Sequence, residues 1–198
     1  MGYRVIAVVG SMRRNGNTAA ALKGVLAGAA ESHGVEADLI QLRDYRIEFC
    51  LGCYEVHAKE GSPCVLDDDF QHLREKLLSA DAIVFGSPAY FGGMTGLLRT
   101  FLDRTGPLWG RLDGKLAGVV AVGEDEFGGQ ELVAQSLTVF CRSHRLQVVG
   151  WPLCLQTPPG DRPGSLSEDV KTMAKAANLG RAIIAQLEQG IVPRKKAD

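Results

Sequence analysis

The sequence lacks an excess of charge of either sign. Its 198 residues include 22 Lys and Arg and 23 Asp and Glu, which gives a formal net charge of −1 at pH 7. Proteins that bind nucleic acid or anionic membranes usually carry a strongly basic surface, so neither partner is expected. No hydrophobic run approaches the roughly 20 residues that cross a bilayer, and we expect no signal peptide before the first predicted strand. These absences predict a cytoplasmic protein.

Disulfide frameworks and two common nucleotide-binding motifs are also missing. The five cysteines are odd in number and sparse for this chain length, which favours a reducing compartment. Residues 10–18, GSMRRNGNT, carry no lysine at the position where a Walker A loop needs one, and they have no G-x-G spacing for a dinucleotide fingerprint. We therefore expect neither nucleoside triphosphate hydrolysis nor a tightly held NAD.

The same loop has the composition of a phosphate site. It follows residues 5–9, VIAVV, an apolar run typical of a strand buried on both faces, and it precedes an alanine-rich helical pattern. A loop that opens a helix directs free backbone N–H groups and the positive end of the helix dipole at one point. Its hydroxyl, amide and guanidinium groups make it a candidate for binding a monophosphate. An ordinary polar turn with a capping residue is the alternative.

Buried strands alternate with helices along the chain, which predicts an α/β fold with a doubly wound, five-stranded parallel sheet of flavodoxin-like order 2-1-3-4-5. A single domain is expected over residues 1–198. Its parts are a cysteine-containing loop at 43–66, a C-terminal helix at 165–189 with Ser165 and Glu168 as a capping box, and a frayed tail at 190–198. The predicted strands are 5–9, 35–42, 82–85, 116–122 and 147–150, and residues 151–164 are predicted to be a crossing loop.

In such a sheet the ligand lies where the strand order reverses, between the first and third strands. Residues 10–18 follow the first strand, and residues 86–95, GSPAYFGGMT, follow the third. Glycines let the second loop approach a flat ligand closely, and its aromatic residues offer ring faces. A planar heterocycle is the functional interpretation, and a rigid turn with aromatics packed in the core is the alternative. A third glycine-rich segment, residues 123–130, is predicted to lie near the same edge.

Segment 86–104, GSPAYFGGMTGLLRTFLDR, closely resembles the signature of the NAD(P)H-dependent FMN reductases and iron–sulfur flavoproteins of flavodoxin-like fold. Residues 10–18 resemble their FMN phosphate loop, and the resemblance covers roughly residues 3–150. Arg99 stands at a position that this family usually gives to lysine. The resemblance implies bound FMN. Its phosphate would lie near Ser11, Arg13, Asn17 and Thr18, and its isoalloxazine near Pro88, Ala89, Tyr90, Phe91, Gly92 and Gly123.

The implied reaction is hydride transfer from NAD(P)H to FMN, followed by electron delivery to a flavin, a quinone, a metal ion or a protein. The flavin supplies the chemistry, so no side chain is assigned as catalytic. A homodimer or homotetramer is implied as well. Two alternatives remain open: an electron-transfer flavoprotein that does not turn over NAD(P)H, and a non-enzymatic relative of the same fold.

The cysteine loop is similar to the cluster motif of the iron–sulfur flavoproteins but is incomplete. Cys50, Cys53 and Cys64 are present, whereas Val56 occupies the third cysteine position. A cubane cluster normally needs four thiolates. With His57, the three cysteines are also candidate zinc ligands, although their spacing is not standard. A loop without metal is the favoured interpretation, and His33, His72 and His144 are predicted to be surface residues.

Overall fold

The computed structural model describes residues 2–53, 64–125, 128–157 and 162–190. All strand pairs are parallel, and the order along the sheet is β2-β1-β3-β4-β5, with β6 also pairing with β4. This confirms the predicted doubly wound sheet and its 2-1-3-4-5 order. The strands are β1 Tyr3–Val9, β2 Val35–Gln41, β3 Ala82–Pro88, β4 Leu116–Gly123, β5 Gln147–Val148 and β6 Leu153–Gln156.

The fifth position in the sheet differs from the prediction because two short strands share it. β5 pairs with Leu116 and Ala117 of β4, and β6 pairs with residues 120–123. Between them Gly150 has φ of 64°, a left-handed conformation that interrupts the strand. Residues 153–156 were predicted to be part of a crossing loop. They instead extend the sheet along the carboxyl end of β4, at the edge where a ligand site is expected.

Among the described residues, five helices cover the two faces of the sheet. Alternate residues of β1 enter two separate hydrophobic clusters: Val5, Ala7 and Val9 pack with α1 and α5, and Ile6 and Val8 pack with the other three helices. The continuous apolar run of β1 is thus explained by burial on both faces. The helices are α1 Asn17–Ala29, α2 Phe70–Ser79, α3 Gly96–Asp103, α4 Gln130–Ser143 and α5 Val170–Glu188.

The C-terminal helix begins later than predicted. Residues Ser165–Glu168 form a 3-10 helix, and the α-helix starts after Asp169, whose Oδ1 accepts hydrogen bonds from the N–H groups of Lys171 and Thr172. The predicted capping box is therefore wrong, since Asp169 caps the α-helix directly. Residues 191–198 of the predicted tail, 190–198, lie outside the described residues. None of the described helices has both the length and the apolar character that a membrane span requires.

Candidate flavin pocket and cysteine cavity

An open pocket of about 460 Å³ lies at the carboxyl ends of β1, β3 and β4. This is the edge of the sheet at which the strand order reverses. Eight of the ten residues predicted to bind a cofactor line the pocket. They are Ser11, Arg13, Asn17, Thr18, Pro88, Ala89, Tyr90 and Gly123. These eight residues come from three segments that are far apart in the sequence.

The first turn of α1 forms one side of this pocket. Gly16 is the N-cap, and no side chain caps the turn. The buried Ser11 and Thr18 both line the pocket, and Ser11 Oγ accepts a hydrogen bond of 3.2 Å from the backbone N–H of Arg13. Uncapped N–H groups at a helix start favour an anion because of their direction and the helix dipole. This side of the pocket has the chemistry that a phosphate requires.

Three arginines near the phosphate loop have different partners. Arg14 pairs with Asp44 at 2.5 Å, and Arg43 Nη1 donates to the carbonyl of Met12 at 2.6 Å. Arg13 lines the pocket, and among the described residues no carboxylate forms an ion pair with it. Its exposed guanidinium is the cation that remains available to a ligand in this pocket.

Asn17 also lines the pocket, but its side chain contacts the rest of the chain. Its Oδ1 accepts a hydrogen bond of 3.0 Å from the N–H of Leu166, in the 3-10 helix. Gly164 comes equally close to the loop, since a Cβ built on it would lie 2.8 Å from the carbonyl oxygen of Asn15. The segment before α5 is therefore docked on the phosphate loop and helps to hold its shape.

The loop after β3 forms the opposite wall and is held by hydrogen bonds at both ends. The N–H of Ala89 donates to the carbonyl of Val122 at 2.8 Å. At the other end, Thr95 Oγ1 donates to the carbonyl of Gly10 at 2.5 Å and accepts from the N–H of Leu98 at 3.1 Å. Thr95 thus caps α3 and ties this helix to the loop after β1.

Phe91 and Gly92 do not line the pocket, although the family resemblance implies contact with the isoalloxazine. They occupy the tip of a tight turn in which Tyr90 and Gly93 exchange two backbone hydrogen bonds of 2.9 Å. Phe91 is fully exposed, with a relative accessibility of 110%. The turn projects these two residues beyond the wall to which Tyr90 belongs.

Gly123 closes the far side of the pocket at the end of β4. A Cβ built on it would lie only 2.4 Å from Oε1 of the buried Gln130, so a larger residue would displace that side chain. The N–H of Thr157 donates to the Gly123 carbonyl at 2.8 Å. Four lining residues were not among the predicted site residues: Gly16, Val122, Glu124 and Thr157. The alternating pattern of residues 153–156, LCLQ, is the sequence signal that would have placed Thr157 at this edge.

A second, much smaller cavity of about 10 Å³ is lined by Cys50, Cys53 and Cys64. It lies against Arg104, whose side chain forms a fully buried ion pair with Asp68, with Nη1–Oδ2 and Nη2–Oδ1 distances of 2.5 and 3.0 Å. Burial alone would raise the pKa of Asp68. Hydrogen bonds from Arg104 and from the N–H groups of Glu48 and Phe70 outweigh that effect and lower the pKa.

The described residues do not fit a four-thiolate cluster at this cavity. Cys141 lies in the core on α4, where burial raises the pKa of its thiol to about 12, and Cys154 lies on β6. Neither can provide a fourth ligand beside Cys50. The cavity has room for about one water molecule. Within the described ranges, no three His, Cys, Asp or Glu side chains are grouped so that they could hold a metal ion. Val56 and His57 lie outside the described residues.

His144 was predicted to be a surface residue, and this prediction is wrong. The ring is buried between Trp109 and Phe140, and its Nε2 lies 2.9 Å from Thr105 Oγ1. That hydroxyl donates its proton to the Leu102 carbonyl, so Nε2–H is the donor to Thr105. Burial lowers the pKa of His144 to about 4. His33 and His72 are exposed, as predicted.

Comparison with known proteins identifies the family. The profile of the NADPH-dependent FMN reductases matches residues 3–153. The chain belongs to this family. An iron–sulfur flavoprotein of Methanocaldococcus jannaschii is 36% identical over 186 residues, which cover 91% of this chain and 95% of the relative. An NAD(P)H dehydrogenase (quinone) of Acidithiobacillus ferrooxidans is 35% identical over 127 residues, which cover 63% of this chain and 60% of that protein.

Solved structures agree with this FMN reductase family member in fold. An NADH:FMN oxidoreductase in its apo form superposes with a TM-score of 0.66 at 20% identity, covering 98% of this chain and 92% of that one. A flavodoxin from the domain Archaea gives a TM-score of 0.62 at 18% identity, covering 93% of this chain and 99% of the other. These likenesses support the flavodoxin-like fold.

Proposed function

We propose that this protein binds FMN in the pocket at the ends of β1, β3 and β4, and that it oxidises NAD(P)H and reduces a quinone. The observation that carries the proposal is the pocket itself. An uncapped helix start and Arg13, which pairs with no described carboxylate, lie on one side, and a glycine-rich loop and the end of β4 lie on the other. Membership of the FMN reductase family supports the cofactor, and the relative named NAD(P)H dehydrogenase (quinone) supports the acceptor.

In this proposal the first turn of α1 holds the FMN phosphate. Ser11 and Thr18 contribute hydroxyl groups from buried positions, and Arg13 neutralises the negative charge. The loop after β3 and Gly123 would hold the isoalloxazine between them. The side chain of Gln130 behind Gly123 keeps that wall close to the strand end. The chemistry that FMN would supply in this pocket is hydride acceptance from NAD(P)H and electron delivery to the acceptor.

The remaining residues would act by position, and none is assigned a proton transfer. The loop after β3 is held between the Val122 carbonyl and the Gly10 carbonyl, so the distance between the two walls is fixed before a ligand arrives. Such preorganisation reduces the cost of binding. The pocket is open to solvent, which leaves room for a second substrate to approach. A homodimer or homotetramer remains a prediction, as does the cytoplasmic location.

The test compares two neighbouring arginines, of which Arg13 lines the pocket and Arg14 does not. Arg13→Gln is expected to weaken FMN binding about tenfold, because it removes a charge-assisted contact with the phosphate. Arg14→Gln is the matched control and should change FMN affinity less than twofold, since Arg14 already pairs with Asp44. Affinities are measured by quenching of flavin fluorescence, with riboflavin as the ligand that lacks a phosphate.

Riboflavin affinity should be the same in all three proteins. Equal losses for FMN and riboflavin in Arg13→Gln would contradict the assignment of the phosphate side. Wild-type protein reconstituted with FMN should also oxidise NADPH or NADH in the presence of a naphthoquinone. Stoichiometric FMN binding without any oxidation of either nucleotide would favour the electron-transfer alternative.

A further inference from the structure

The cysteine cavity brings together three thiols and one buried cation. Cys50, Cys53 and Cys64 line it, and so does Arg104, which is only 1% exposed. A four-thiolate cluster does not fit here, and in the part of the chain that the structure describes no three His, Cys, Asp or Glu side chains could hold a metal ion. The grouping of these thiols around a cation therefore needs a different explanation.

Arg104 holds the two cysteine-bearing segments beside each other. Its Nη1 donates a hydrogen bond of 2.8 Å to the carbonyl of Glu48, two residues before Cys50. Both terminal nitrogens of the guanidinium also bind the carboxylate of Asp68, four residues after Cys64. One buried side chain therefore restrains the position of Cys50 relative to Cys64.

One donor of Arg104 is left over in this arrangement. Its Nε is buried and has no acceptor among the described residues, which is unusual for a buried N–H group and marks a place where a further group can bind. Burial alone would lower the pKa of Arg104, but hydrogen bonds with Asp68 and with the side chain of Cys64 outweigh that effect and raise the pKa. The guanidinium thus lies beside the Cys64 thiol.

Cys154 provides the opposite environment. It is exposed on β6, where partial desolvation and the negative charge of Glu131 raise the pKa of its thiol. The thiolate is the nucleophilic form of cysteine, and reactive cysteines are typically accessible and lie beside a cation. Cys64 is half-buried and lies beside Arg104, so it has the surroundings of a reactive thiol. Cys154 does not.

We propose that Cys64 is a peroxide-reactive thiol and that Cys50 is the second thiol, with which Cys64 then forms a disulfide. The substrate class is a small hydroperoxide such as hydrogen peroxide, because the cavity has room for about one water molecule and hence for the oxygen that the sulfur gains. The N–H of Gly52 donates to Cys50 Sγ at 3.4 Å, and such a bond favours the anionic sulfur that attacks. Neither step uses the flavin, so the inference does not rest on the proposed function.

The reaction has two steps. In the first, the sulfur of Cys64 attacks one oxygen of hydrogen peroxide, so that a sulfur–oxygen bond forms and the oxygen–oxygen bond breaks. The leaving hydroxide takes the thiol proton and becomes water, and Cys64 is oxidised by two electrons to a sulfenic acid. In the second, the sulfur of Cys50 attacks that of Cys64, a disulfide forms, and the hydroxyl group leaves with the Cys50 proton as a second water. Arg104 would stabilise the anionic sulfur and the leaving hydroxide.

The experiment uses the full-length, FMN-loaded protein, purified without oxygen and treated with one equivalent of hydrogen peroxide in the absence of NAD(P)H. Thiols are counted after denaturation with a colorimetric thiol reagent, and their number should fall from five per chain to three. Mass spectrometry of proteolytic peptides should place the disulfide between Cys50 and Cys64. Dithiothreitol should restore the original number of thiols.

Four variants separate the roles of the thiols. Cys50→Ser should form no disulfide and should leave Cys64 as a sulfenic acid, which dimedone captures. Cys64→Ser should lose the fast oxidation altogether. Cys53→Ser and Cys154→Ser are the matched controls and should still link Cys50 to Cys64 at the wild-type rate. At pH 7, peroxide should oxidise Cys64 about tenfold faster than Cys154, because a cation lies beside the first thiol and a carboxylate beside the second.

Iron and inorganic sulfide are quantified in the same preparation. The predicted disulfide in protein free of both would support the proposal, whether or not the protein oxidises NAD(P)H. Stoichiometric iron and sulfide would overturn it, because the thiols would then be ligands of a cluster. Equal oxidation rates for Cys64 and Cys154, a disulfide that contains Cys53 in place of Cys50, or a disulfide between two chains would each overturn it as well.

Discussion

Arg13 and Arg104 lie in two regions that use charge in opposite ways. Arg13 is exposed, lines the open pocket and has no ion-pair partner among the described residues. Arg104 is fully buried beside the cysteine cavity, where Asp68 binds it in bidentate fashion and the Glu48 carbonyl accepts a third hydrogen bond of 2.8 Å. The guanidinium of Arg13 is thus available to a ligand, whereas the guanidinium of Arg104 is bonded to its own chain.

Helix α3 connects these two regions, the open region around the pocket and the closed region around Arg104 and the cysteine cavity. At its start Thr95 is bonded to Gly10 beside the pocket, and just after its end Arg104 holds the loop that carries Cys50. The open region keeps polar groups without partners, which costs stability but allows binding. In the closed region the buried charges of Arg104 and Asp68 pair with each other, which favours a structural role. The difference predicts that substitutions in the closed region affect stability and that substitutions in the open region affect ligand affinity.

The largest expected effect comes from Arg104→Met, which leaves the buried Asp68 carboxylate without its cation. We expect the free energy of unfolding to fall by about 3–5 kcal/mol, because an uncompensated buried charge is strongly unfavourable. Urea unfolding measures the change. FMN affinity of the folded protein should stay within threefold of the wild type, since the pocket lies at the opposite end of α3.

The control is the double variant Asp68→Asn with Arg104→Met, which removes both charges. It should recover a substantial part of the lost stability, because neither buried charge is left unpaired. A loss below 1 kcal/mol in Arg104→Met would contradict the structural role of the closed region. A tenfold loss of FMN affinity at full stability would remove the contrast between the two regions.

The second largest effect is expected from acid, which would act on His144. The ring of His144 bonds Thr105, which directly follows Arg104 of the closed region. The pKa of this ring is about 4 in the folded protein against an ordinary value of 6.5, because burial disfavours the charged form. The unfolded chain therefore binds more protons between these two values. Stability is fully present above pH 6.5 and falls as the pH drops towards 4, by up to about 3 kcal/mol.

Urea unfolding at several pH values tests this effect. His144→Gln keeps a donor towards Thr105 but cannot titrate, so its stability should change much less between pH 6.5 and 4. His72→Gln is the control because His72 is exposed, and it should keep the wild-type slope. Parallel pH profiles for His144→Gln and the wild type would show that His144 is not the group responsible.

The sequence was sufficient for the sheet order and insufficient for several long-range contacts. Continuous apolar runs such as residues 5–9 identify strands buried on both faces, and their alternation with helices specifies the doubly wound topology. The rule for the ligand edge then selects the loops after β1 and β3. Local composition was enough to predict these two loops, because each glycine-rich segment directly follows an apolar strand in the sequence.

Other features depend on partners that no local pattern reveals. Asp68 pairs with Arg104, which lies 36 residues away, and nothing in the sequence around Asp68 indicates this partner. His144 directly follows an amphipathic helix, a position that favours the surface, but Trp109 and Phe140 enclose its ring. The prediction missed β6 because Trp151 and Pro152, which directly precede it, belong to a segment whose composition is typical of a loop. Asp169 was missed because Ser165 and Glu168 offered a more familiar capping pattern.

The smallest expected effect concerns Asn17, which belongs to the open pocket but already has a partner in the chain. In Asn17→Ala, the Leu166 N–H loses its acceptor, and the free energy of unfolding should fall by about 1 kcal/mol. FMN affinity should fall no more than threefold, which is less than in Arg13→Gln. Asn178→Ala is the matched control on the exposed face of α5, with an expected loss below about 0.5 kcal/mol. A tenfold loss of FMN affinity at unchanged stability would instead make Asn17 primarily a ligand of the phosphate, because its hydrogen bond to the chain would then contribute little to the fold.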